Sequence, residues 1–108
     1  MCFIPREPAT EGHVLVVPKR HARNLFDIGA DDLQAVILAA KDIATLQRER
    51  LRCEGVSLYQ ANEAAGFQTV FHFHLHVVPR YTGDRISQAW HAEEVEFSAL
   101  EVMAQRLR

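Results

Sequence analysis

Three of the chain's six histidines stand at alternate positions in one short run, His72-Phe73-His74-Leu75-His76. In an extended strand successive side chains point to opposite faces. His72, His74 and His76 then share one face, and Phe71, Phe73, Leu75 and Val77 share the other. Three chemistries fit such a face. The imidazoles can be ordinary polar groups in contact with water, although no Lys, Thr or Glu is interleaved with them. They can bind a metal, since imidazole is a ligand for zinc and copper. Here geometry limits the set: residues i and i+4 of a strand lie roughly 13 Å apart at ~3.3 Å per residue, so two of the three reach one ion. A third ligand from His13 or His91 has no spacing signal. Lastly, neutral imidazole is a nucleophile near pH 7. A central histidine can attack phosphorus while its neighbours stabilise the phosphoryl oxygens and protonate the leaving group.

The surrounding sequence supplies elements to position these groups. Val70 to Val78 reads as a strand ended by Pro79, and His13 to Val17 as a short buried strand stopped by Pro18. Met1 to Gly12 reads as an irregular entry around Pro5 and Pro8. Asp31 with Gln34 three residues later fits a capping box. Leu33, Val36, Ile37, Ala40, Ile43, Ala44 and Leu51 then recur near a 3.6-residue period. The spacing predicts a long amphipathic helix over Asp32 to Arg52, with Arg48, Arg50 and Arg52 at its negative end and Gly55 as the stop. Val56 to Gln60 alternates as a strand. Asn62 to Gly66 forms a turn, Gly83-Asp84 opens a loop, and Glu93 to Arg108 reads as a second helix. Antiparallel strands with a long helix between them make an α+β domain.

Composition narrows the class. The 108 residues, 48% apolar and 24% charged, make one domain spanning 1–108. A net charge of −2 lacks the basic excess of duplex-DNA binders, so no nucleic-acid partner is expected. The longest apolar run, Ala35 to Ala40, is too short to span a membrane, and Met1 to Glu7 lacks the basic-then-apolar order of a signal peptide. Cys2 and Cys53 form neither a CxxC pair nor a disulfide framework, and a reducing cytoplasm is the expected compartment.

His72-Phe73-His74-Leu75-His76-Val77-Val78 alternates histidine with apolar residues and resembles the signature of the histidine-triad (HIT) family of nucleotide hydrolases and transferases. The similarity continues through Gly66-Phe67-Gln68-Thr69-Val70 on one side and Pro79-Arg80-Tyr81-Thr82-Gly83-Asp84 on the other. A second block, Pro8-Ala9-Thr10-Glu11-Gly12-His13-Val14-Leu15-Val16-Val17-Pro18-Lys19-Arg20-His21, is similar to the family's Gly-His element. The resemblance implies an antiparallel sheet with a long central helix and a C-terminal helix, paired into a homodimer through sheet and helix. It implies that His74 attacks the α-phosphorus of a nucleoside 5′-phosphate conjugate and that a nucleotidyl-histidine forms. His76 would bond the phosphate oxygens, and His72 and His13 would hold the nucleophile's tautomer. Gln68 would reach the bridging atom, Thr69 the phosphate or leaving group, and Asn62 the phosphate or ribose. No metal or other cofactor is implied.

Each assignment has a plainer counterpart. His13 can be a satisfied core histidine, His21 a surface group, and Trp90 and Tyr81 packing residues. The sequence also departs from the family's pattern. The stretch that precedes the Gly-His block is nearly absent, and Pro5 stands where the family has a ribose-binding Asp; Glu7 is a neighbouring acid without the right spacing. This departure favours a second reading, a nucleotide-binding module with little turnover. It also predicts an exposed sheet edge.

Overall fold

A computed structural model describes residues 1–87 and 92–108; Trp90 and His91 lie outside the described residues. Four strands form one antiparallel sheet: β1 (Cys2–Phe3), β2 (Val14–Val16), β3 (Gly55–Tyr59) and β4 (Leu75–Arg80). Their order is β1-β2-β4-β3. Helix α1 (Ala30–Leu51) connects β2 to β3, and α2 (Phe97–Arg106) follows the sheet. The expected α+β class is the observed one, with a short first strand where an irregular entry was expected.

Helix α1 covers one face of the sheet. Val36 and Ala40 are buried against Val16, Phe73, Leu75 and Val77, with Ile28, Leu33, Ala39, Ile43, Ala44 and Val56 around them. The 3.6-residue apolar period meets the two-residue strand period here, and burial of these side chains is the main favourable term of the fold. Gln47 reaches from α1 to the carbonyls of Gly12 and Val77, at 2.9 and 3.0 Å. It ties the helix to the residue before His13.

The helix starts differently from the capping-box expectation. Gly29 is the N-cap, and no side chain caps the helix. Asp31 and Asp32 lie inside the first turn, where their carboxylates face the positive end of the helix dipole. The stop also differs. Arg52 takes a left-handed conformation, φ 54°, and closes the helix, while Gly55 begins β3.

The histidine strand is displaced from its expected span of Val70 to Val78. It begins at Leu75 because its neighbours run out there. β2 ends at Val16, opposite Leu75, and β3 ends at Tyr59, opposite His76. His72 and His74 therefore precede the ladder. Pro79 does not end the strand; it pairs with Val56 inside it. Its carbonyl accepts from the Thr10 hydroxyl at 2.6 Å. That side lies beyond Val14, where β2 begins, so the missing N–H costs no ladder bond. Phe71 also departs from the apolar face. It is 41% exposed, and the Arg23 guanidinium lies 4.2 Å from its ring centre.

The two phenylalanines separate these roles. Phe73→Ala is expected to cost about 3–5 kcal/mol because it empties a packed core site. Phe71→Ala is expected to cost about 1 kcal/mol or less, the scale of an exposed cation–π contact. Urea unfolding of both variants measures the difference, and equal losses would contradict this division of the two rings.

Candidate active site

His74 is held by its own backbone neighbourhood. Its Nδ1 lies 2.8 Å from the carbonyl oxygen of His72. A carbonyl only accepts, so Nδ1 carries the proton and Nε2 of the neutral ring keeps its lone pair.

The next imidazoles form a relay with a fixed direction. The Ala9 N–H donates to His13 Nδ1 at 2.9 Å. The proton of neutral His13 must then sit on Nε2, which lies 2.9 Å from His76 Nδ1. His76 accepts there, and its own proton sits on Nε2, which is left as a donor. The His74 and His76 rings meet edge to face, with centres 5.1 Å apart. Burial lowers the His13 pKa. Burial, followed by the nearby His74 and His13, pushes His76 down to about 4. Both rings of the relay are therefore neutral at pH 7, as the donor order requires.

Beside the ring of His74 is a cavity of about 380 Å³, lined by Phe3, Leu15, Val17, Val70, His72 and His74. Phe3 enters it because β1 pairs Phe3 with Leu15, and β2 pairs Leu15 with His76. Paired residues share a face. The cavity thus combines apolar walls with the imidazoles of His72 and His74.

Gln68 does not point into this space. It is 4% exposed, and both ends of its amide are spent inside the protein. Its Oε1 accepts from Asn24 Nδ2 at 3.1 Å and from the Glu63 N–H at 2.7 Å. Its Nε2 donates to the carbonyls of Arg23 and Val70, at 2.7 and 3.1 Å. An amide has two donors and two acceptor sites, so nothing remains for a bridging atom. In this structure the Gln68 amide is thus committed to the surrounding loops. Thr69, next in sequence, is exposed. Asn62 Oδ1 accepts from the Leu25 N–H and from Gln60 Nε2, both at 2.7 Å. Its Nδ2 donates once, to Gln60 Oε1, which leaves one N–H of that amide uncommitted.

Sequence reasoning missed a pair and a clamp. His21 Nδ1 lies 3.0 Å from His72 Nδ1, with the rings edge to face. Arg23 donates twice to the Glu63 carboxylate at 2.8 Å, and Asn24 Nδ2 donates to it at 2.6 Å. These bonds hold the Glu63 pKa down to about 2. Glu63 sits at φ 65°, a region that non-glycine residues seldom occupy. An isolated sequence carries only a weak signal for either feature: His21 falls within the Gly-His block, and Arg23 reads as a solvated charge. Among the described residues, no group of three or more His, Cys, Asp and Glu side chains is placed to hold a metal ion.

Comparison with known proteins places this geometry. The HIT domain model matches residues 1–83. An uncharacterised HIT-like protein of Mycoplasma genitalium is 44% identical over 82 residues, which are 75% of this chain and 57% of that protein. The Bacillus subtilis protein called hit is 31% identical over 87% of this chain and 67% of its own length. The chain thus spans little more than half of some of these relatives. Among solved structures, the Streptococcus mutans protein SMU.412c superposes with a TM-score of 0.90 at 30% identity, over 98% of this chain and 68% of that one. A histidine triad nucleotide-binding protein from Candida albicans gives 0.85 at 27% identity, over 98% of this chain and 78% of that one.

The depressed His76 pKa makes a stability prediction. An unfolded histidine binds its proton near pH 6.5, and the folded His76 only near 4. The stabilisation is fully present above about 6.5 and is lost as pH falls through about 4, because the unfolded state takes up the proton first. Denaturant titrations across this window are expected to show stability falling with acid, and falling less steeply in His76→Gln. Parallel curves for the two proteins would contradict the assigned relay.

Proposed function

Since the chain belongs to the HIT domain family, we propose that it hydrolyses or transfers nucleoside 5′-phosphate conjugates through a nucleotidyl intermediate on His74. Dinucleoside polyphosphates and adenylyl phosphoramidates are the substrate classes. The observation that carries this reading is the bond between His74 Nδ1 and the His72 carbonyl. It commits the ring proton to the far side and leaves Nε2 able to attack.

In the first step the Nε2 lone pair forms a bond to the α-phosphorus, and the bond from phosphorus to the leaving group breaks. His76 donates its Nε2–H to a non-bridging phosphate oxygen, where negative charge gathers. In the second step water attacks the same phosphorus, the P–N bond breaks with its electron pair returning to Nε2, and the proton lost by the water passes through solvent to the departed leaving group, so the nucleoside monophosphate leaves with neutral His74 restored. The uncommitted Asn62 N–H and the exposed Thr69 hydroxyl supply further phosphate donors. The apolar walls from Phe3, Leu15, Val17 and Val70 suit the flat faces of a nucleobase. His13 orients His76 through the relay, and Gln68 acts on the loops rather than on substrate.

A second reading is a nucleotide-binding module with little turnover. Pro5 favours it, since a proline offers neither a carboxylate nor an N–H to a ribose. The proposed assembly is a homodimer. Its support is α2, which exposes Phe97, Leu100, Val102 and Met103, apolar side chains that an interface would cover. The sheet also ends in the outer strands β1 and β3, and unpaired edges invite association. No helix among the described residues is long and apolar enough to cross a membrane, and the proposed setting is the cytoplasm.

A rapid-quench single-turnover reaction with an α-labelled adenylylated substrate tests the chemistry. Wild type is expected to carry label on histidine, and His74→Ala to carry none, with the rate at least ~10³-fold lower. Tight AMP binding without label or turnover in either protein would support the binding-module reading instead. Sedimentation equilibrium is expected to give twice the 12.3 kDa chain mass; a single-chain mass at micromolar concentration would remove the dimer.

A further inference from the structure

We propose that His21 is a positioning residue for the nucleophile, acting on His74 through His72; its catalytic consequence rests on the nucleotidyl-histidine reading. The reason begins with where the sheet stops. β4 starts at Leu75, so the ladder does not fix the backbone of His72 and His74. Something else must fix it, because a displacement of about 1 Å in a nucleophile can cost 10²-fold in rate.

The segment His21 to Asn24 does this work from the side. The Phe73 N–H donates to the Ala22 carbonyl at 2.7 Å. Gln68 Nε2 donates to the Arg23 carbonyl, and Asn24 Nδ2 donates to Gln68 Oε1. These ties bracket residues 68–73, and Ala22 and Asn24 are buried beneath them. His21 adds this segment's tie to a triad side chain, Nδ1 to Nδ1 of His72 at 3.0 Å.

His72 then has a bond at each end. Its ring meets His21, and its carbonyl receives the proton of His74 Nδ1. Fixing the ring restricts rotation of the residue, and with it the direction of the carbonyl. That carbonyl selects the tautomer of His74 and aims its Nε2. His21 is not itself among the residues lining the cavity, and it reaches that lining only through the ring of His72, so its influence is positional. Each flanking member of the triad is thereby paired with a histidine from the Gly-His block: His76 with His13, and His72 with His21.

His21 is exposed, so its replacement leaves the core and the backbone ties in place. The test compares His21→Ala and His21→Gln with wild type. In His21→Ala the single-turnover rate is expected to fall about 10- to 100-fold, the usual effect of losing a partner that orients a reacting histidine. The Kd for AMP is expected to change less than about threefold and the melting temperature to hold, since His21 is exposed and lines no part of the cavity itself. His21→Gln, which restores a donor and an acceptor, is expected to recover much of the rate.

A second readout does not depend on turnover. In ¹⁵N-histidine-labelled protein, the Nδ1–H resonance of His74 is expected to be protected in wild type and to exchange faster or shift in His21→Ala. An unchanged His74 resonance in His21→Ala overturns the proposal, whether or not the protein turns over. An altered resonance in a protein without nucleotidylation upholds the positioning role and removes the catalytic reading instead. A rate loss that matches a fall in melting temperature, with no recovery in His21→Gln, also overturns it.

Discussion

One hydrogen bond governs the reactive end of this molecule, from the Nδ1–H of His74 to the carbonyl of His72. A neutral imidazole has one proton and two nitrogens. Spending the proton on a backbone carbonyl makes the other nitrogen an acceptor and a nucleophile, whatever approaches it. In the proposed reaction the remaining side chains of the site keep that carbonyl still and set a donor near the free nitrogen.

The donor comes from a chain of bonds that starts at a backbone amide. An amide N–H cannot accept, so Ala9 sets the tautomer of His13, and His13 sets that of His76. Partial burial keeps these rings uncharged and the direction intact. Two neighbouring histidines, with ring centres 5.1 Å apart, thus carry opposite functions, a lone pair on His74 Nε2 and an N–H on His76 Nε2. The difference arises from what each Nδ1 meets, not from residue type.

Stillness comes from loops. Residues 21–27 and 60–70 are joined by the Arg23–Glu63 ion pair, by Asn24, and by two of the four bonds of Gln68, the other two closing the 60–70 loop on itself. The ion pair is half exposed, and pairs of that kind contribute little energy alone. The buried amides contribute more, because an unmatched donor or acceptor there would carry a desolvation cost. Gln68 therefore acts as a fastener at the base of the histidine segment. Its position beside the triad and its type, read without coordinates, fit substrate contact equally well.

The sequence by itself determined what depends on periodicity and residue chemistry. Alternation set three histidines apart from Phe73, Leu75 and Val77. The 3.6-residue spacing defined α1 almost to its ends, and the two histidine-bearing blocks identified the family. Tertiary structure decided what depends on where neighbours end and which polar atoms meet. It stopped the ladder at Leu75, kept Pro79 within it, moved Phe71 out of the core onto Arg23, and consumed the Gln68 amide. It also joined His21 to His72 across fifty-one positions. Spacing fixes which face a side chain takes, because backbone geometry is local. Hydrogen-bond partners and strand limits are fixed by groups remote in sequence, and these meet only when the chain has folded.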